Sequence, residues 1–150
     1  MLQKVEQLTQ QQSVDASAPQ KEIAMDVVLR IVAGLAAAAF LTTGATKLAL
    51  GKKVEEKGMA WAKHYSDGGV RGIGAAEVAG ALGLVLPAVT GIATWLVPTA
   101  AIGLVVVMVG AVRRHVMDGE GLKGSMPAIV LGVLALVVAI GRIWIAPFGG

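Results

Sequence analysis

The fold class predicted is an all-α integral membrane four-helix bundle. Three observations carry that expectation. Hydrophobic residues make up 55% of the 150-residue chain and charged residues 15%. Water-soluble domains carry about a quarter charged residues, so a polar coat would be hard to build here. The apolar residues fall in long runs with the charges gathered between them, and mean hydropathy is +0.72. The 20 glycines lie mostly inside apolar runs, as in closely packed membrane helices.

Residues 1–26 read as a polar, mostly flexible tail. Gln3, Gln7, Gln10, Gln11, Gln12 and Gln20 dominate it, with Pro19 near its end. Leu2, Val5 and Leu8 recur every three residues, which is compatible with a short helix. The remainder, 27–150, reads as one transmembrane domain. No small-residue cleavage site ends the first apolar run, so that run is expected to stay as an anchor. It covers 27–50, with Arg30 and Lys47 bracketing its uncharged part and able to turn their charges outward.

The connection 51–69 is polar. Val54, Gly58, Trp61, Ala62 and Tyr65 fall near one helical face, so 53–65 is expected to form an amphipathic helix in the headgroup layer. Ser66 or Asp67 can cap the helix that follows. From Val78 to Val112 the chain carries no charge. As one helix that stretch would be roughly 52 Å long, too long for a single crossing of a ~30 Å hydrocarbon core. Two crossings are expected, 70–89 and 94–112, with Pro87, Gly91 and Pro98 supplying the break. A charged loop follows at 113–124. The last crossing is placed at 126–145, with Ser125 as its cap and Pro127 in its first turn.

Four crossings put both termini on one side. Lys52, Lys53, Lys57, Lys63, Arg71, Arg113, Arg114 and Lys123 lie on the other side, against Lys4, Lys21, Arg30 and Arg142 on the terminal side. The positive-inside rule then places the two charged loops in the cytoplasm and both termini outside. Trp95, Trp144 and Phe148 fall near one interface, Trp61 and Tyr65 near the other. The net charge of +3 is explained by these loops facing a membrane surface, and no nucleic-acid partner is implied.

Small residues recur every four positions in the second crossing, at Gly72, Ala76 and Gly80 and at Ala75, Ala79 and Gly83. They read as faces for close helix packing. Glu77 is the informative residue. It lies about 9 Å into its helix past Arg71, and a carboxylate at that depth is costly unless paired, protonated or wetted. Lys47 sits at a similar depth, and His115 ends the third helix on the same side. A polar cluster of Lys47, Arg71, Glu77 and His115 is expected there, with Thr43 and Thr46 nearby. It would serve either as a proton, ion or headgroup site or as an ion pair that fixes helix register. Arg30 and Arg142, near the outer face, either contact lipid phosphate or snorkel. With no cysteine, thiolate and iron–sulfur chemistry by this chain alone is excluded. No cofactor motif, catalytic residue or metal-ligand spacing is recognisable. His64 and His115, in a loop and at a helix end, do not suit bis-histidine haem.

The chain resembles the DoxX-like family of small membrane proteins over 27–142. The resemblance rests on Gly44-Ala45-Thr46-Lys47-Leu48 and Trp61. It rests most on Val70-Arg71-Gly72-Ile73-Gly74-Ala75-Ala76-Glu77 followed by Gly80-Ala81-Leu82-Gly83-Leu84-Val85-Leu86-Pro87. Met108-Val109-Gly110-Ala111 with His115 also fits. Where relatives often open the last helix with a polar residue, this chain has Ser125-Met126-Pro127. The resemblance implies a multi-pass four-helix bundle in a bacterial plasma (inner) membrane. The family takes its name from a thiosulfate:quinone oxidoreductase subunit, and some members are linked to redox complexes and oxidative stress. It is also distantly similar to cargo receptors of the early secretory pathway. Two roles are therefore expected. One is a non-catalytic membrane subunit or anchor of a redox or stress-related complex, touching lipid and a partner enzyme or a second copy. The other is a small carrier or a lipid- or quinone-binding protein that uses the intramembrane carboxylate.

Overall fold

The computed structural model describes residues 2–148, without the side chains of residues 8–19. The order is α1 (Leu2–Leu50), two 3-10 turns (Gly51–Lys57 and Ala60–His64), α2 (Asp67–Thr90), α3 (Leu96–Met117), α4 (Gly121–Ile140) and a closing π turn (Gly141–Ile145). Four stretches are long and apolar enough to cross a membrane: Gln20–Lys57, Asp67–Thr90, Leu96–Met117 and Gly121–Ile145. Each helix packs on the next and α4 returns to α1, which closes the bundle.

The first helix begins at Leu2, so the segment read as a tail is helical in this structure. Gln and Glu are good helix formers, and a helix that continues from a membrane crossing needs no new nucleus. Most of the glutamine run and Pro19 lie among the side chains outside the description. At 1.5 Å per residue α1 is about 73 Å long, so its N-terminal part extends well past a ~30 Å hydrocarbon core.

Backbone proximity between α1 and α2 organises the bundle. A Cβ added to Gly44 would stand 2.8 Å from the Gly74 carbonyl oxygen, and one added to Gly74 would stand 2.7 Å from the Gly44 oxygen. The close contact thus falls at Gly74, outside both of the small-residue ladders. Of those ladders, Gly80 and Gly83 meet Leu104 and Ala100 of α3, whereas Gly72, Ala75, Ala76 and Ala79 face outward. Phe40, Leu84 and Leu104, all fully buried, centre the core, with alanines of α1 and α4 around them. Large apolar side chains cover the outside, among them Leu35, Val89, Ile102, Val106, Val133 and Leu136. Such a surface would associate in water and suits lipid.

The connections depart from expectation in three places. Gly58, at φ 92°, breaks the expected amphipathic helix into the two 3-10 turns. Only a residue without Cβ takes that conformation cheaply. Met117 rather than Val112 ends α3, and α4 starts at Gly121, after Gly119 and Gly121 have both turned through positive φ. Ser125 therefore does not cap α4. Its hydroxyl donates to the Gly121 carbonyl within the first turn, and Pro127 falls in the second. At the start of α2 the Ser66 hydroxyl does accept from the Gly69 N–H at 3.1 Å.

Candidate ligand-binding cavity

The glycine contact lets α1 and α2 bring Lys47 and Glu77 together. Lys47 Nζ donates to Glu77 Oε1 at 2.5 Å and to Oε2 at 2.7 Å. Thr43 Oγ1, one turn earlier on α1, donates to Oε2 at 3.1 Å. Glu77 is 1% exposed and Lys47 7%. Two charges so deeply enclosed persist only when each compensates the other, and the added hydroxyl bond supports the carboxylate. Thr46 does not join them; its hydroxyl donates to the Thr42 carbonyl.

A cavity of about 700 Å³ opens beside this pair, within the range of small-molecule sites. One wall is polar: Thr43, Lys47 and Glu77. The opposite wall, from α3 and α4, is apolar and includes Val107, Met108, Ala111, Pro127, Ala128 and Leu131. Val106 and Gly110, both exposed, sit on its rim, so the cavity reaches the lipid-facing surface of α3.

The 51–66 connection covers the end of the cavity. Gly58 folds the second 3-10 turn back, and Val54, Ala62 and Val70 bury together as its anchor. Trp61 then lies with its ring 5.7 Å from Lys47 Nζ, and Tyr65 meets Trp61 edge-on at 5.7 Å. A cation against an aromatic face is attracted to the ring quadrupole. His64 Nε2 is 2.7 Å from Asp118 Oδ1, which ties the cover to the α3–α4 turn. Asp118 also accepts from Arg114 Nε at 3.1 Å and Nη2 at 2.5 Å. Those bonds, with the charges of Arg114, His64 and Lys63, hold the Asp118 carboxyl below its ordinary range. His115 Nδ1 lies 2.7 Å from Glu120 Oε2, and Lys123 completes the polar rim.

Lys47, Glu77 and Thr43 therefore meet directly. His115 lines the same cavity but pairs with Glu120. Arg71 stands apart: its guanidinium binds Asp67 at 2.7 Å and the Leu48 carbonyl. It thus satisfies an orphan oxygen at the end of α1. At the other end of the bundle, Arg142 is buried and donates to Asp26 Oδ1 at 2.5 Å, while exposed Arg30 donates to Asp26 Oδ2 at 2.7 Å. Arg142 consequently does not snorkel. Sequence reading missed Asp26, Trp61, Tyr65, His64, Asp118 and Glu120 as partners. A signal existed for Asp26, an acid at the edge of the first crossing on the side of Arg142. None existed for Trp61, whose position depends on the turn at Gly58. Among the described residues no group of three or more His, Asp or Glu side chains is placed to hold a metal ion.

Four apolar helices around a cavity that is polar on one side and apolar on the other define a multi-pass α-helical membrane protein. The chain belongs to the DoxX-like family, whose model matches residues 31–140. No curated protein and no solved structure matches it.

Proposed function

We propose that this protein binds an elongated amphiphile, of the quinone or lipid class, with its polar head against Lys47, Glu77 and Trp61. The supporting observation is the two-sided cavity: a buried ion pair faces apolar α3 and α4 across a space that reaches the bilayer. An amphiphile can then enter from lipid without crossing water, and its head finds hydrogen-bond partners already held in place. The chain would act as the binding component, in the plasma membrane of a prokaryote, with the charged loops cytoplasmic.

Intrinsic fluorescence tests this reading. In a variant keeping Trp61 as its single tryptophan, a short-chain quinone or lipid added to the purified protein should quench emission saturably. Ala111→Phe fills the cavity from its α3 wall and leaves the residues of the ion pair unchanged. It should abolish the quench in protein that still unfolds cooperatively, at a cost of no more than the about 1–3 kcal/mol of an overpacked site. Unsaturable quenching that is equal in both proteins would overturn the assignment.

A second role, membrane subunit of a redox complex, is favoured by one observation: the chain has no cysteine and no cofactor motif of its own. In that role the bound amphiphile would be presented to a partner enzyme. Purification in mild detergent should then recover a second polypeptide in fixed ratio, and recovery of this chain alone would exclude it.

A further inference from the structure

At the opposite end of the bundle, α1 near Asp26 meets the turn that closes α4. The π turn Gly141–Ile145 buries Gly141, which packs on Leu29, and carries Arg142 inward beside Asp26 of α1. The Arg142 side chain is 1% exposed, and the Phe148 ring lies 4.0 Å from its guanidinium carbon. Its Nη1 donates to Asp26 Oδ1 and to the Ala146 carbonyl, and its Nη2 to the Asp26 carbonyl at 3.4 Å. Its Nε–H is buried with no protein partner.

Charge in this corner is also unbalanced. Among the described residues one carboxylate, that of Asp26, is paired with two guanidiniums, those of Arg30 and Arg142, which leaves one positive charge over among them. Arg30, with half its side chain exposed, spends only its Nε on Asp26, and its ring-facing side lies 5.9 Å from Phe148. Both arginines line a cavity of about 110 Å³, room for a few groups of water size at about 30 Å³ each. Below the arginines its walls are apolar: Gly34, Val85, Ala88 and Val89. Val89 is 76% exposed and a Cβ at Gly34 would meet open space, so the cavity continues onto the lipid-facing groove between α1 and α2.

We propose that this corner binds a phosphate-type oxyanion, recognised by the Arg30 and Arg142 guanidiniums. A tetrahedral anion neutralises the surplus charge and offers acceptors to donors that Asp26 leaves unused. The anion comes either from a phospholipid headgroup, whose chain then lies in the α1–α2 groove, or from free phosphate. The site is separate from the Lys47–Glu77 cavity and does not depend on its assignment.

Full-length protein in neutral detergent tests the proposal, with phosphatidylglycerol, phosphatidylcholine and inorganic phosphate as probes. Native mass spectrometry and thermal unfolding provide the readouts. Phosphatidylglycerol should be retained about tenfold better than phosphatidylcholine, the scale of one charge-assisted hydrogen bond. Arg30→Gln, at an exposed position, should remove that preference. Asp26→Asn frees both guanidiniums and should enlarge the rise in Tm that the anion produces. A rise with phosphatidylglycerol alone identifies a headgroup, and a rise with inorganic phosphate alone identifies the free anion. Equal retention of both lipids together with no response to phosphate would overturn the site, as would a preference that survives Arg30→Gln.

Discussion

Glu77 and Lys47 each carry a charge at a depth where neither could remain alone. Three hydrogen bonds reach the carboxylate, two from Lys47 and one from Thr43. Removing one partner of such a buried pair costs about 3–5 kcal/mol, because the other charge is left uncompensated, while replacing both by neutral groups is often nearly neutral. We therefore expect Glu77→Gln to lower the unfolding temperature steeply in detergent. Adding Lys47→Met to it should restore most of the loss. If the double variant is as unstable as Glu77→Gln alone, the pair is not the origin of the cost. Amphiphile binding should stay lost in the double variant, which separates the pair's part in folding from its part in the site. Reading the chain alone identifies Glu77 as a group in need of a companion, since burial cost depends only on depth in lipid. Helix geometry also sets Arg71 aside as its partner, six residues back and roughly 120° around α2, and leaves Lys47 at a similar depth on α1. Where Arg71 goes instead is set by the end of α1, whose Leu48 carbonyl takes the guanidinium.

At the scale of elements, the α1–α2 contact places that pair. Gly44 and Gly74 touch through backbone atoms, and backbone cannot swing aside as a side chain can. Gly74→Ala must push the helices apart and so draw Lys47 away from Glu77. Overpacking of this kind costs about 1–3 kcal/mol. Gly72→Ala in the same helix meets open space and gains helix propensity, so it should be neutral or slightly stabilising. Thermal unfolding of the two variants side by side checks the contrast, and equal effects would refute the close contact. The turn after α3 responds to pH. Arg114 bonds hold Asp118 below the ordinary carboxylate value of about 3.9. A lowered folded value contributes stability that is fully present above the unfolded value and is lost as pH falls through the folded one. Hydrogen exchange at 118–124, corrected for intrinsic chemistry, should rise as pH falls below about 4. Asp118→Asn should exchange faster already at neutral pH. Four crossings were legible from hydropathy because each must span lipid. The cover over the cavity was not, because its path turns on Gly58 at φ 92°. Periodicity across 53–65 carries no information about a left-handed residue in its middle, so Trp61 and Tyr65 read as interfacial anchors when they line the site.

For the molecule as a whole, orientation decides which end meets which compartment. The loop-side contacts Lys47–Trp61, His64–Asp118, Arg114–Asp118, His115–Glu120 and Arg71–Asp67 sit at the end that carries Lys47 and eight further basic residues. The end with Arg30 and Arg142 carries four. Lys and Arg in short loops are retained on the cytoplasmic side, so the cavity cover is expected inside and the arginine corner outside. The absence of native cysteine makes this directly measurable with single introduced thiols. Ser13→Cys in intact cells should react with an impermeant maleimide, and Gly68→Cys, at an exposed position where a Cβ meets nothing, should react only after the membrane is opened. The reverse pattern would invert the molecule. Anionic lipid at the arginine corner would then come from the cytoplasmic leaflet, and an amphiphile in the larger cavity would have its head on the outer side.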